Sequence, residues 1–160
     1  MSKFSLPQVC KLVQMLKPQT TNGSLTSQVI SLKNAHKATV VFEFTQAVGH
    51  ATTPTLLQAT NIAAATNKAG PSAMIWANDA TATNDTLVAK TAAASYALTT
   101  GTGGHQVVFE VDPASLDVGN GYDCIYFTIG TSSQATNFVS ATAYLQERYI
   151  GNQPPTAILD

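Results

Sequence analysis

The groups with chemical reach in this 160-residue chain are three histidines, nine acids, two cysteines and one glycine-rich run. His36, His50 and His105 stand at no two-, three- or four-residue spacing, so no zinc-ligand pair is present. His36 enters a strand and the other two lie beside glycines, so all three are expected on exposed loops. Ser72 follows Gly70-Pro71 but leads into a strand, whereas a nucleophile elbow needs a helix there. The GTGG run at 101–104 likewise opens onto a strand, and a phosphate cradle needs a helix N-terminus, so a hairpin connection is expected. Asp112, Asp117, Asn120 and Asp123 offer oxygen ligands among glycines. Their spacing is not that of an EF-hand, and these residues are ordinary turn formers, which is the favoured reading over calcium. Glu43 and Glu110 alternate with apolar residues and should face solvent. Trp76, Tyr96, Tyr122, Tyr126, Tyr144 and Tyr149 sit mostly in strands, where packing is favoured over a sugar-binding face. No catalytic residue, cofactor site or metal site emerges, and a non-enzymatic role is expected.

Cys10 and Cys124 form no metal-spaced pair. Two separate buried thiols are favoured over one long-loop disulfide. Hydrophobic residues make up 44% of the chain, enough for a single core, but charged residues only 11%, against roughly 25% in an average domain. A surface of Thr, Ser, Asn, Gln and Ala has little self-repulsion and suits close packing against copies or partners. A net charge of −1 argues against an electrostatic nucleic-acid binder. Residues 1–78 hold six lysines and the single acid Glu43, while 79–160 hold eight acids against Lys90 and Arg148. Such halves could attract head to tail between molecules, yet a sandwich that interleaves them, the favoured reading, would cancel the asymmetry. No run approaches the ~20 apolar residues of a membrane span, and no export leader is apparent, so synthesis in a cytoplasm without a membrane partner is expected.

These side chains need elements to hold them. Leu6, Val9, Val13 and Leu16 recur at three- and four-residue spacing after Ser5 and Pro7, which predicts a short amphipathic helix ended by Pro18. From residue 28 the period becomes two. Strands are expected at 28–32, 37–45, 52–59, 72–77, 106–111, 124–129 and 137–149, with weaker ones at 87–91 and 95–99. In 37–45, Val40, Phe42 and Phe44 face one way. The stretch 63–70 is ambiguous, and a turn or one helical turn is expected at 112–116. The reading is all-β: a single antiparallel β-sandwich or jelly roll (28–150), a short N-terminal helix or arm (1–27) and an extended C-terminal tail (151–160). The tail carries Pro154-Pro155 and ends on Ala157-Ile158-Leu159. Its apolar tip either docks on a neighbouring molecule or folds back on its own sheet.

The stretch TSQVISLKNAHKATVVFEF (26–44) resembles small head proteins of tailed bacteriophages. So do Lys17-Pro18, Leu56-Leu57-Gln58-Ala59, Phe109-Glu110-Val111-Asp112 with Leu116-Asp117, and Glu147-Arg148-Tyr149. The resemblance is to capsid cement or decoration proteins, some of them jelly rolls. It implies a structural virion protein that binds the capsid exterior and clamps major capsid subunits, as a dimer or trimer. It implies no catalytic residue and no cofactor. The contact residues expected are Leu6, Val9, Val13 and Leu16, with Ile158 and Leu159 of the tail. The rival readings are a carbohydrate-binding adhesin or tail-fibre module, which needs Trp76 and tyrosines on one open face, and a small β-fold hydrolase.

Overall fold

A computed structural model describes residues 6–148 and 156–159. Ser5, Tyr149 and the 151–155 part of the tail lie outside the described residues. A four-residue helix, α1 (Leu6–Val9), precedes β1 (Lys11–Thr20), β2 (Leu25–Thr26), β3 (Ile30–Ser31), β4 (Ala35–Gln46), β5 (Pro54–Ala59) and β6 (Asn67–Ala69). Then come β7 (Ala73–Asn78), β8 (Val88–Ala93), β9 (Gly103–Val111), β10 (Cys124–Ile129) and β11 (Phe138–Glu147). Two sheets form, in the orders β1-β11-β4-β9-β7-β8 and β2-β10-β5-β6, with β3 also on β10. All pairings are antiparallel.

The expected all-β sandwich is the observed one. With β2 and β3 taken as one interrupted strand, the orders β1-β11-β4-β9 and β2/β3-β10-β5-β6 are those of a jelly roll. The hairpin β7–β8 extends the first sheet.

The core follows from period-two alternation. Val40, Phe42 and Phe44 of β4 point inward as their spacing predicts, and Glu43 points to solvent. Phe42 and Phe109 of one sheet meet Phe127 of the other edge-on, with centroids 4.9 and 5.1 Å from Phe127. β10 is buried on both faces. Ile125, Phe127 and Ile129 enter the main core, while Cys124 and Tyr126 form a smaller cluster with Ala59 under Ile62 and Ala64.

The N-terminal helix expectation is corrected. Only Leu6–Val9 is helical; residues from Lys11 onward form an edge strand on β11. The register slips between Gln14 and Leu16 and again between Leu16 and Gln19. These bulges turn the adjacent Met15 and Leu16 both into the core and accommodate Pro18 on an edge. A bulged strand of this kind spaces its apolar residues by three and four, as a helix does. Val13 and Leu16 are therefore core residues, and the sandwich includes β1 and β2 from within the expected 1–27 arm. The weak strand at 95–99 survives as a ladder beside β5, with Tyr96 N donating to Pro54 O and Leu98 N to Thr52 O. Gly103 and Gly104 belong to β9, and φ of +112° at Gly103 accounts for the glycine.

Candidate functional site

The strand directions divide the loops between two ends of the sandwich. One end gathers α1, the turn after β3, the 3-10 turns Pro113–Ser115 and Val118–Asn120, the end of β11 and the tail segment 156–159. The other gathers the loops after β1, β4, β7 and β10 with the loop before β9.

Four ion pairs lie at or near the first end: Lys11–Glu147 (3.4 Å), Lys33–Asp123 (3.7 Å), Lys37–Glu110 (2.7 Å) and Lys68–Asp117. Each joins a lysine of residues 1–78 to an acid of residues 79–160. The fold thus interleaves the basic and acidic halves, as favoured above. Surface pairs of this kind contribute only about 0–1 kcal/mol each to stability. Their consequence is that these four lysine charges are matched locally.

Between these pairs opens a cleft of about 220 Å³ lined by Leu32, Lys33, Pro113, Ala114, Leu116, Val118, Asp123 and Arg148. It is smaller than the roughly 300–1,000 Å³ of small-molecule sites. The Arg148 Nε donates to Ala35 O at 3.0 Å, which fixes the guanidinium at the rim. Exposed apolar residues stand around this end: Val9 (44% exposed), Val118 (54%), Ile158 (40%) and Leu159 (65%).

Of the six expected contact residues, Leu6 and Val9 therefore reach this end together with Ile158 and Leu159, while Val13 and Leu16 are withdrawn into the core. Val118 was not anticipated, because its Asp117–Asn120 surroundings read only as a turn. The tail returns to its own domain: Ser31 N donates to Ala157 O at 2.7 Å, and Ala157 is buried against the core. Its last two apolar residues remain outward.

The acidic loop is held by protein groups. Asp112 accepts from Ala114 N at 2.9 Å and caps the first 3-10 turn. Asp117 is bound by Lys68 and by the Asn120 amide, and these, the Lys68 hydrogen bond first, hold its carboxyl below the usual value. Among the described residues no group of three or more His, Cys, Asp or Glu is placed to hold a metal ion. Cys124 is buried and Cys10 only partly so, and neither is in a disulfide, so the expectation of two buried thiols is corrected for Cys10.

At the opposite end His105 also departs from expectation. It is on β9 with its side chain fully buried, because Phe44 pairs with it across the sheet and Gly101 closes over it. Nε2 lies 3.0 Å from Gly101 O and Nδ1 3.4 Å from Asp79 Oδ1. Asp79 also faces the Tyr96 hydroxyl and Lys90. Burial first, then the Asp79 charge, raises the Tyr96 phenol above its ordinary value. His36 is exposed and His50 partly so. Glu110 is taken by Lys37, and Ser72 stands exposed in the crossing from β6 to β7. The described residues bring no serine, histidine and acid together as a nucleophilic set.

The fold is a jelly-roll sandwich, and this end carries a cleft rimmed by exposed apolar residues. No protein-family model matches the chain, and no curated protein matches it. Among solved structures it is similar to the SPBc2 prophage-derived protein YomS, at 10% identity and a TM-score of 0.48, covering 85% of this chain and 91% of that one. It is also similar to a chain of Triatoma Virus, at 11% identity and a TM-score of 0.27, covering 99% of this chain and 72% of that one.

Proposed function

We propose that the chain is a structural virion protein that binds the outside of a phage capsid and stabilises contacts between major capsid subunits. The observation that carries this reading is the convergence of exposed apolar residues from α1, the Val118 turn and the tail around one cleft, at an end where four lysines are paired with acids of the same chain. Burying such a surface gains roughly 25 cal/mol per Å² of apolar area. A rigid jelly roll holds that surface in one geometry, so little ordering entropy is lost on docking. A protein that binds only the assembled shell stabilises it by linkage, and many copies on one lattice add avidity without new contacts per copy. Dimers or trimers fit the symmetry axes of such a lattice. No cofactor, nucleic acid or membrane has a part in this role.

Replacing Ile158 and Leu159 together by aspartate tests the surface. Both are exposed, so the melting temperature should hold within a degree or two while binding to purified heads in a sedimentation assay weakens at least about tenfold, about 1.4 kcal/mol. Unchanged head binding by the double variant would remove the tail from the interface.

A second reading as a carbohydrate-binding adhesin or tail-fibre module has one observation in its favour. By register, Tyr144, Met74 and Trp76 share the outer face of the six-stranded sheet, and Met74 is well exposed. Aromatic side chains on an open sheet suit a sugar ring, and the location of the protein on the particle separates the two readings.

A further inference from the structure

Asparagine followed by glycine occurs twice in the chain, at Asn22-Gly23 in the loop after β1 and at Asn120-Gly121, where the 3-10 turn Val118–Asn120 ends. An asparagine carboxamide can be attacked by the backbone nitrogen of the next residue, and glycine, having no Cβ, leaves that nitrogen most accessible. Both pairs are exposed, so solvent access does not separate them. Hydrogen bonding does. Asn120 Nδ2 donates to both carboxylate oxygens of Asp117 at 2.9 Å, and Gly121 N donates to Val118 O at 2.9 Å. The carboxamide is therefore held on Asp117 and the attacking nitrogen keeps its proton on a carbonyl. The Asp117 charge also opposes the anion that this nitrogen must become. At the first pair, neither the Asn22 side chain nor Gly23 N makes a hydrogen bond to a described residue. Asn22 is held through its backbone, where its O accepts from Thr131 Oγ1 at 2.8 Å.

We infer that Asn22 is a site of spontaneous conversion to aspartate and isoaspartate in the folded chain, and that the Asp117 turn protects Asn120 from the same reaction. Gly23 N gives its proton to hydroxide, and its electron pair forms a bond to Asn22 Cγ. The Cγ–Nδ2 bond then breaks, and the amide takes a proton from water and leaves as ammonia, which regenerates hydroxide. Water opens the resulting cyclic imide at either carbonyl, giving aspartate or isoaspartate. One water is consumed and one ammonia released, with no oxidant or reductant. Each conversion adds a negative charge to a chain whose formal net charge is −1. The nearby buried tie runs through Thr21, whose Oγ1 lies 2.6 Å from Ser132 Oγ and whose O accepts from Ser132 N at 2.7 Å. Asn22 takes no part in it, so the converted chain stays folded. The change falls at the end opposite the cleft and is independent of the capsid reading.

The experiment holds the full chain at mildly alkaline pH, folded in buffer and unfolded in guanidinium chloride. Peptide mapping by mass spectrometry follows the amide-to-acid mass gain at each site, and an isoaspartyl methyltransferase assay detects isoaspartate. In the unfolded chain the two sites should convert at similar rates, since each precedes glycine. In the folded chain Asn22 should stay within severalfold of its unfolded rate, while Asn120 slows at least about tenfold. Two variants separate the causes. Asp117→Ala should return Asn120 toward its unfolded rate. Gly23→Ala should slow Asn22, and the added Cβ meets no atom within 4 Å, so the fold tolerates it. Circular dichroism establishes that both are folded. Should Asp117→Ala not fold, the folded and unfolded rates of the wild type decide alone. Conversion at Asn120 as fast as at Asn22 in the folded chain overturns the inference. So does an Asn22 that converts only when the chain is unfolded.

Discussion

Phe127→Ala should destabilise the protein by about 3–5 kcal/mol, the range for emptying a buried aromatic site. Phe127 is fully buried and lies edge-on to Phe42 and Phe109, which belong to the opposite sheet. It is therefore a principal contact between the two layers and not only a filler within one. β10 and β4 are central strands of their sheets, hydrogen-bonded on both sides, so neither can shift to close the space. Edge-to-face pairs contribute about 0.5–1.5 kcal/mol beyond area burial, and Phe127 makes two. Urea denaturation of the variant gives the number directly. The double variant with Phe42→Ala should fall short of the sum of the singles, because the second truncation removes a contact already lost. A loss under 1 kcal/mol for Phe127→Ala would mean that the sheets do not pack through this triad.

Asn137→Asp is expected to cost about 3 kcal/mol at pH 7, as an unpaired buried charge does, and much less near pH 4. Asn137 is buried, and its side chain mimics a strand for Val48. Oδ1 accepts from Val48 N at 3.0 Å, and Nδ2 donates to Val48 O at 2.7 Å. Its own backbone accepts from Thr21 N, so one residue ties the loops after β1, β4 and β10 together. Aspartate has the same shape but replaces the donor by a second acceptor, and a buried carboxylate then faces a carbonyl oxygen. Both burial and that contact favour the protonated form, so the new carboxyl would titrate higher in the folded chain than in the unfolded one. The penalty is accordingly absent below the unfolded value and grows as pH rises through the folded one. Urea midpoints at both pH values check this. Equal midpoints for variant and wild type at pH 7 would contradict the tie.

The sandwich was legible where one face of a strand is buried and the other wet. In β4, Val40, Phe42 and Phe44 alternate with Thr39, Val41 and Glu43 without interruption, and the element follows from that pattern. β1 was misread because its two bulges shift the apolar side chains off strict alternation, and spacing alone cannot separate a bulged strand from a helix. β6 has no buried face, so Asn67–Ala69 carries no period at all and read as ambiguous. His105 was misplaced because a neighbouring glycine suggests a loop. Here Gly104 pairs with Thr45 within the sheet, and the burial comes from Gly101 and Asp79, which only the tertiary fold brings near. The cleft end was half legible. The exposed tail residues follow from an apolar tip on a proline-bearing segment, but Val118, the cleft and the neutralising ion pairs arise from contacts between distant parts of the chain.

Those ion pairs also match much of the charge near that end within the chain. The lysines at positions 11, 33, 37 and 68 each meet an acid of their own chain. What else faces outward at that end includes the apolar Val9, Val118, Ile158 and Leu159 beside the charged Arg148 and Asp112.

Immunogold electron microscopy of particles purified from cells that express the whole virus, with antibody against this chain, tests the structural-virion claim most directly. A capsid-exterior role predicts gold spread over the heads of mature particles. Gold confined to tail tips would move the function to the adhesin reading, and particles without gold in a lysate that contains the protein would contradict a virion role altogether.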